Sequence, residues 1–250
     1  MAWLSDNPDK RFTERLVLFY SPIWMAVIAL LVITKRFARW GDIGDFTLGL
    51  ALAAPILLLP VLAPAPGEAR RPLLARHGAR FAIAVTITSF VQNLLGASLF
   101  FEQLGMEYHF PVRWILRGTP LFLYFLTVAY FATYYVLLQI ALRPFQRNPR
   151  FHWLARALFG YCVAFAETYS MATRALSPYF LYSKPRFALL IGSACYGTLF
   201  LVTVPLFERL DERATGDPPL RELLRDLLAA NLLALLLYEA YGVLFRAFLH

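Results

Sequence analysis

The sequence predicts an all-α fold: a polytopic transmembrane helical bundle of about seven spans, with six spans as the alternative. Hydrophobic residues make up 59% of the 250-residue chain. Charged residues make up 16%, against about a quarter in a soluble domain. The mean hydropathy is +0.56. Apolar runs recur along the chain, and a helix needs about 20 such residues to cross the hydrocarbon core of a bilayer.

We predict one integral-membrane domain that covers residues 1–250. Its predicted spans are Leu16–Ile33, Phe46–Ala63, Phe81–Phe101, Pro120–Leu142, Trp153–Leu176, Phe187–Phe207 and Leu227–Leu249. Pro55 and Pro60 interrupt the second run, so this segment is expected to be kinked or re-entrant. The seventh run carries polar residues. A six-span arrangement would follow if either of these two segments did not cross.

The basic residues between the apolar runs indicate an orientation. More than half of the 24 Lys and Arg residues fall on the side of the N-terminus when seven spans alternate. Because cytoplasmic loops are enriched in Lys and Arg, we expect a cytoplasmic N-terminus. The membrane would be the inner membrane of a bacterium or the endoplasmic reticulum of a eukaryote. These arginines are also expected to contact lipid headgroups of the bilayer.

The sequence gives little support for a nucleic-acid-binding surface, a disulfide or a metal site. No nucleic-acid-binding motif accompanies the net charge of +8, so no nucleic-acid partner is predicted. Cys162 and Cys195 both lie in apolar segments, where small core residues are expected rather than a disulfide. The four histidines are not at ligand spacing from one another or from cysteine, so no metal site is predicted. The pattern does not predict an oligomeric state.

Glu167 is the leading candidate for a catalytic residue. It lies in the middle of the fifth predicted span, where inserting a carboxylate costs at least about 2.5 kcal/mol, so an acid there indicates a functional site. Desolvation disfavours the charged form of a carboxyl group. A protonated acid in an apolar cavity could therefore donate a proton to an apolar substrate. The alternative is a structural Glu that pairs with an Arg or Thr of a neighbouring helix.

Two further spans carry polar residues at helical spacing. In the seventh, one stripe contains Asn231, Leu235, Glu239, Gly242 and Arg246. Two buried carboxyls could divide acid and base work, although Glu239 could equally form a structural ion pair. The third span places Ser89, Gln92, Asn93 and Gly96 on one face. That face should point into the bundle, either towards a ligand or in ordinary interhelical hydrogen bonds.

The fourth span is rich in aromatic residues. One of its faces carries Thr127, Tyr130, Phe131 and Tyr134. Desolvated aromatic rings stabilise a cationic centre by about 0.5–2 kcal/mol each, but they also commonly fill membrane cores. The residues alone thus favour proton chemistry on a lipid-like substrate. A proton-coupled transporter and a non-catalytic lipid-binding protein are also consistent with them.

Four sequence blocks resemble the cycloeucalenol cycloisomerases, the cyclopropyl sterol isomerases of plants. They follow one another in the same order as in that family, and the similarity runs from about Trp3 to Phe248. The blocks are Trp3–Trp24, Leu104–Pro111, Ala166–Thr168 and Pro205–Glu212. The first and last are the more specific.

The resemblance implies a reaction and a set of site residues. In this family the 9,19-cyclopropane ring of cycloeucalenol opens without a cofactor, giving the angular methyl group and 8,9 double bond of obtusifoliol. An acid and a base are needed, with water excluded. We therefore expect Glu167 and Glu239 to be the two catalytic carboxyls. With the resemblance, Tyr20, Asn93 and Tyr108 are the expected substrate-binding residues. Tyr130 and Tyr134, from the aromatic face of the fourth span, are further substrate-binding candidates.

The chain departs from the family at histidines of spans three and four. This chain has Ser98, Val128 and Tyr135 where the plant enzymes carry histidine. If those histidines take part in catalysis, this protein uses other groups or acts on a different sterol or related polycyclic lipid.

Overall fold

The computed structural model describes residues 3–210 and 219–249 and confirms the all-α helical bundle. Within these ranges the long helices are α1 Pro8–Ile33, α2 Gly41–Leu62, α3 His77–Gln103, α4 Leu121–Leu142, α5 Pro149–Met171, α6 Pro185–Arg209 and α7 Leu220–Leu249. Each overlaps one of the apolar runs, with different boundaries at several ends.

Six of the described helices are long and apolar enough to cross a membrane. They include α2 and α7, the two segments for which the sequence left a membrane crossing open. The helix outside this group is α5, which carries Arg150, Arg156 and Glu167. Strand β1, Met106–Tyr108, follows α3 and pairs with β4, Phe180–Tyr182, which follows α5. The ends of α3 and α5 therefore meet, so α5 traverses the bundle as α4 does.

Capping residues set the helix starts. Helix α1 begins at Pro8 rather than Leu16, because the Asn7 side chain accepts hydrogen bonds from the backbone N–H groups of Asp9 and Lys10. Asn148 and Pro149 start α5 in the same way. Helix α5 ends at Met171, short of the predicted Leu176.

Helix α2 is one continuous helix, although Pro55 and Pro60 lie inside it. It packs closely on α4 at Gly49, where an added Cβ would lie 2.4 Å from the carbonyl oxygen of Phe122. Helix α4 is the most buried of the six apolar helices and forms the centre of the core. The prediction of a re-entrant second segment is therefore not supported by the fold.

Two departures from a regular helical bundle were not predicted. Helix α3 contains π-helical turns at Gln92–Gly96 and Leu99–Gln103, and α6 contains one at Ala188–Gly192. Such turns are rare and often accompany functional sites. A second short ribbon, β2 Ile115–Leu116 with β3 Thr119–Pro120, lies before α4.

Candidate active site

A cavity of about 60 Å³ lies where the end of α3, the first half of α4 and the end of α5 meet beside β1 and β4. Its lining is mainly aromatic and apolar, with few polar groups. The lining residues with polar side-chain groups include Gln92, Asn93, Tyr108, Tyr130, Glu167 and Tyr196. An apolar pocket with convergent polar groups is the usual form of a small-molecule site.

The Glu167 side chain lines this cavity and is held by one neighbour. Its Oε2 atom accepts a hydrogen bond of 2.8 Å from the hydroxyl of Tyr196, which is buried. Helices α5 and α6 approach closely because Gly160 and Gly197 face each other; a Cβ on Gly160 would lie 3.2 Å from the Gly197 carbonyl oxygen. This contact brings Tyr196 within reach of Glu167. Among described residues, no cation lies within salt-bridge distance of Glu167.

Aromatic rings surround the carboxyl group. Tyr108 comes from β1 and packs edge-on against Phe180 of β4 at 5.4 Å between ring centroids. Tyr130 comes from α4, at 5.4 Å from the Trp24 ring. The pairing of β1 with β4 therefore fixes the position of Tyr108 in the cavity lining.

The polar face of α3 divides between the cavity and the helix bundle. Asn93 lines the cavity, and its side-chain amide donates to the Ser89 carbonyl at 2.8 Å. The Gln92 amide donates to Asn231 of α7 at 3.0 Å, and Asn231 in turn donates to Thr88. The interhelical hydrogen bonds considered from the sequence are therefore present at Gln92.

The structure does not bring Glu239 to this cavity. Its side chain is exposed, beside Glu102, Lys184 and Arg246 in a separate cavity of about 160 Å³. The inward face of α7 is formed instead by Leu227, Asn231, Ala234, Tyr238 and Gly242. Tyr238 takes the inward position next to Glu239, since successive residues on a helix point about 100° apart.

Two other predicted substrate-binding residues lie outside the cavity lining. The Tyr20 hydroxyl donates to the Leu52 carbonyl at 2.6 Å, between α1 and α2. Tyr134 lies behind the lining, with its ring 6.2 Å from that of Tyr130. Of the predicted site residues, the cavity thus collects Glu167, Asn93, Tyr108 and Tyr130.

Tyr196 and Gln92 line the cavity but were not predicted as site residues. Tyr196 is a hydroxyl-bearing residue inside the apolar run of the sixth span, and that was an available signal. Gln92 was identified as part of a polar face but not assigned to the site. The pairing of Tyr196 with Glu167 depends on the α5–α6 contact and could not be found from spacing.

Ser98, Val128 and Tyr135, the positions at which the resemblance implies histidine, do not line the cavity. Val128 and Tyr135 are fully buried in α4, and the Tyr135 hydroxyl shares a 2.8 Å hydrogen bond with Thr203. Ser98 hydrogen bonds to the Leu95 carbonyl. Within residues 3–210 and 219–249, no group of three or more His, Cys, Asp or Glu residues could hold a metal ion.

A second set of buried charges lies at the opposite end of the bundle, where α1 and α5 begin and α4 and α6 end. We call Lys10, Glu14, Arg143, Arg156 and Glu208 the charged end. Glu14 pairs with Arg143 at 2.5 Å, and Glu208 pairs with Arg156 at 2.8 Å. His152 also contacts Glu208, at 2.9 Å. Asp211 and Glu212, which complete the last sequence block, lie outside the described residues.

Comparison with known proteins agrees with the sequence blocks. The chain is similar to a cycloeucalenol cycloisomerase. This relative, from Arabidopsis thaliana, is 29% identical over an aligned length of 251 residues, gaps included; the aligned region covers 96% of this chain and 88% of the relative. The similarity extends over nearly the full length and confirms the resemblance. No family profile matches the chain, and no solved structure matches it.

Proposed function

We propose that this integral membrane protein is a sterol isomerase that opens the 9,19-cyclopropane ring of a cyclopropyl sterol, in a reaction of the cycloeucalenol-to-obtusifoliol type. The observation that carries the proposal is the position of Glu167. This carboxyl group lines a mainly apolar, tyrosine-rich cavity in a chain similar to a cycloeucalenol cycloisomerase. We further propose that the N-terminus is cytoplasmic, as the arginine distribution favours.

In the proposed reaction, Glu167 donates its proton to the bridging methylene carbon of the cyclopropane ring. That carbon becomes the angular methyl group, and positive charge develops at the ring junction. The carboxyl group suits this role because it has no described cationic partner that would hold it ionised. Tyr196 donates a hydrogen bond to its Oε2 atom, which orients the carboxyl group and stabilises the carboxylate that forms.

The aromatic lining suits the cationic intermediate. The rings of Tyr108, Tyr130 and Tyr196 border the same cavity as Glu167. Each desolvated ring can stabilise a nearby positive charge by about 0.5–2 kcal/mol. The lining also limits the access of water, which would otherwise capture the cation.

A base must then remove the proton from the neighbouring ring carbon. Glu167 is the one carboxyl among the described residues that line the cavity. We therefore propose that the carboxylate left by proton donation takes up this second proton, which forms the double bond and restores the acid. This scheme replaces the two-carboxyl arrangement, since Glu239 lies in a different cavity.

Substrate binding requires the cavity to widen. Pockets for drug-sized ligands occupy about 300–1,000 Å³, whereas this cavity has about 60 Å³. Met171 is a flexible side chain at the end of α5 and forms part of the lining. We propose that displacement of such side chains admits the sterol from the bilayer.

A product assay tests the proposed function. Membranes containing the wild type or Glu167→Gln would be incubated with cycloeucalenol, and the sterols identified by gas chromatography–mass spectrometry. We expect obtusifoliol from the wild type and a loss of turnover of about 10²–10⁴-fold in the variant, with sterol binding retained. A folded wild type that binds the sterol without converting it would favour the lipid-binding alternative. Proton flux in vesicles would favour the transporter.

A further inference from the structure

An apolar groove of about 430 Å³ lies on the outer surface of the bundle, between α2 and α3. Leu57 and Val61 form its α2 side, and Ile83 and Ile87 form its α3 side. Leu73 and Leu74, from the short 3₁₀ turn Leu73–Ala75, border one end. This groove is separate from the Glu167 cavity and belongs to the same end of the bundle as the charged end.

Arginines hold the bordering turn in place. The Arg76 guanidinium donates to the carbonyl oxygen of Pro60 at 3.0 Å and to that of Arg71 at 3.1 Å. Arg80 donates to the Leu74 carbonyl at 2.9 Å. Pro60 and Leu74 both line the groove. Arg76 and Arg80 therefore hydrogen bond directly to residues that line the groove.

Two arginines of this segment are exposed just before the turn. Arg70 has no hydrogen bond or ion pair with any described residue, and Arg71 has a 3.5 Å contact with Asp9 while its side chain remains 51% exposed. Arginines next to a membrane-spanning helix attract anionic lipid headgroups, by about 1 kcal/mol each. Arg70 and Arg71 lie two to four residues before Leu73 and Leu74 of the groove. This segment therefore combines an apolar surface with positive charge, which is complementary to an acyl chain and a phosphate of one molecule.

We propose that the α2–α3 groove binds one anionic glycerophospholipid, with an acyl chain in the groove and the phosphate on Arg70 and Arg71. This lipid site is independent of the sterol chemistry proposed for Glu167. A bound lipid would further stabilise the connection between α2 and α3, which the hydrogen bonds of Arg76 and Arg80 already stabilise.

The test compares two lipids with identical dioleoyl chains, phosphatidylglycerol and phosphatidylcholine. The purified protein would be titrated with each lipid in detergent, and bound lipid counted by native mass spectrometry. We expect one phosphatidylglycerol to bind more tightly than phosphatidylcholine. The double variant Arg70→Gln/Arg71→Gln should lose about thirtyfold in affinity for phosphatidylglycerol, at about fivefold for each arginine. The control Arg147→Gln/Arg150→Gln removes two exposed arginines at the same end of the bundle.

A second pair of variants tests the groove itself. Thr86 lines the groove, and its hydroxyl donates to the carbonyl four residues earlier at 2.7 Å. Thr47 makes the same 2.7 Å contact on an exposed face of α2. Thr86→Phe should weaken binding of the lipid, whereas Thr47→Phe should not.

Three results would overturn the proposal. They are equal binding of the two lipids, an equal loss of affinity in the arginine variant and its control, and competition by inorganic phosphate alone. The last would indicate a site for a free anion rather than for a lipid.

Discussion

Carboxyl groups at the two ends of the bundle have opposite surroundings. At the charged end, Glu14 and Glu208 each contact an arginine at 2.5–2.8 Å. In the cavity at the other end, Glu167 contacts a tyrosine hydroxyl, with no cation in range among the described residues. A carboxyl group paired with arginine forms an ion pair that can hold helices together, whereas a carboxyl group beside a neutral donor suits the proposed proton transfer.

Under the proposed function, this difference separates structural from catalytic carboxyl groups in one chain. The first and last sequence blocks that carry the family resemblance contribute Glu14 and Glu208. In the charged end, Glu14 pairs with Arg143 and Glu208 pairs with Arg156. The shorter block at Ala166–Thr168 contributes the carboxyl group of the cavity. The most specific blocks therefore contribute ion pairs to the described fold, and the proposed chemistry depends on a shorter signal.

The largest expected effect on stability comes from breaking the charged end. Glu208→Gln would leave Arg156 without a counter-charge while keeping the size of the side chain. Removing one partner of a buried ion pair typically costs about 3–5 kcal/mol, so the free energy of unfolding should fall by about 3 kcal/mol. Reversible unfolding in mixed detergent micelles would measure it. A change below about 0.5 kcal/mol would mean that the charged end is not structural.

The Tyr196 hydroxyl should affect turnover more than stability. Tyr196→Phe removes the donor to Glu167, and one such hydrogen bond is worth about 1.5 kcal/mol, so turnover should fall about tenfold while the sterol dissociation constant is unchanged. Tyr238→Phe is a matched control, since its buried hydroxyl has no hydrogen-bond partner in the described part of the chain. Equal turnover by the two variants would show that the Tyr196 hydroxyl does not contribute to catalysis.

The Gln92–Asn231 contact should make a smaller contribution, to stability. Gln92→Leu leaves the Asn231 side-chain oxygen without its 3.0 Å donor, at a cost of about 1 kcal/mol. The double variant Gln92→Leu/Asn231→Leu should cost less than the sum of the two single changes, since the pair acts together. Strict additivity in unfolding measurements would show that the two side chains are not coupled.

The smallest effect is expected for Glu239. Because this side chain is exposed and lies outside the Glu167 cavity, Glu239→Gln should leave turnover within about twofold of the wild type. Steady-state rates with cycloeucalenol would provide the measurement. A hundredfold loss would restore the two-carboxyl scheme and contradict the single-carboxyl proposal.

Much of the fold could be predicted, because membrane spans require long apolar runs. The seven helices lie where these runs occur, and Glu167 was identified since a lone carboxyl group is costly at mid-span. Helix starts were less predictable: Asn7 and Asn148 extend α1 and α5 beyond the apolar residues. The hydrogen-bond acceptor of the capping side chain, rather than hydropathy, decides those positions.

The rest of the site depends on contacts distant in sequence. Tyr196 reaches Glu167 because two glycines let α5 and α6 approach, and Tyr108 is positioned by the pairing of β1 with β4. Glu239 was assigned to the wrong face because the predicted stripe reaches it by two steps of four residues from Asn231, which place it about 80° further around the helix. Such a stripe drifts around a helix with 3.6 residues per turn, and Tyr238 holds the inward position instead.

The most direct test compares Glu167→Gln with Glu208→Gln in the same preparation, with turnover of cycloeucalenol and the free energy of unfolding measured for each. Our account predicts that Glu167→Gln loses about 10²–10⁴-fold in turnover with little change in stability, because its carboxyl group acts in the chemistry. Glu208→Gln should lose stability and keep turnover in the fraction that remains folded. Normal turnover by a folded Glu167→Gln protein would contradict the central claim.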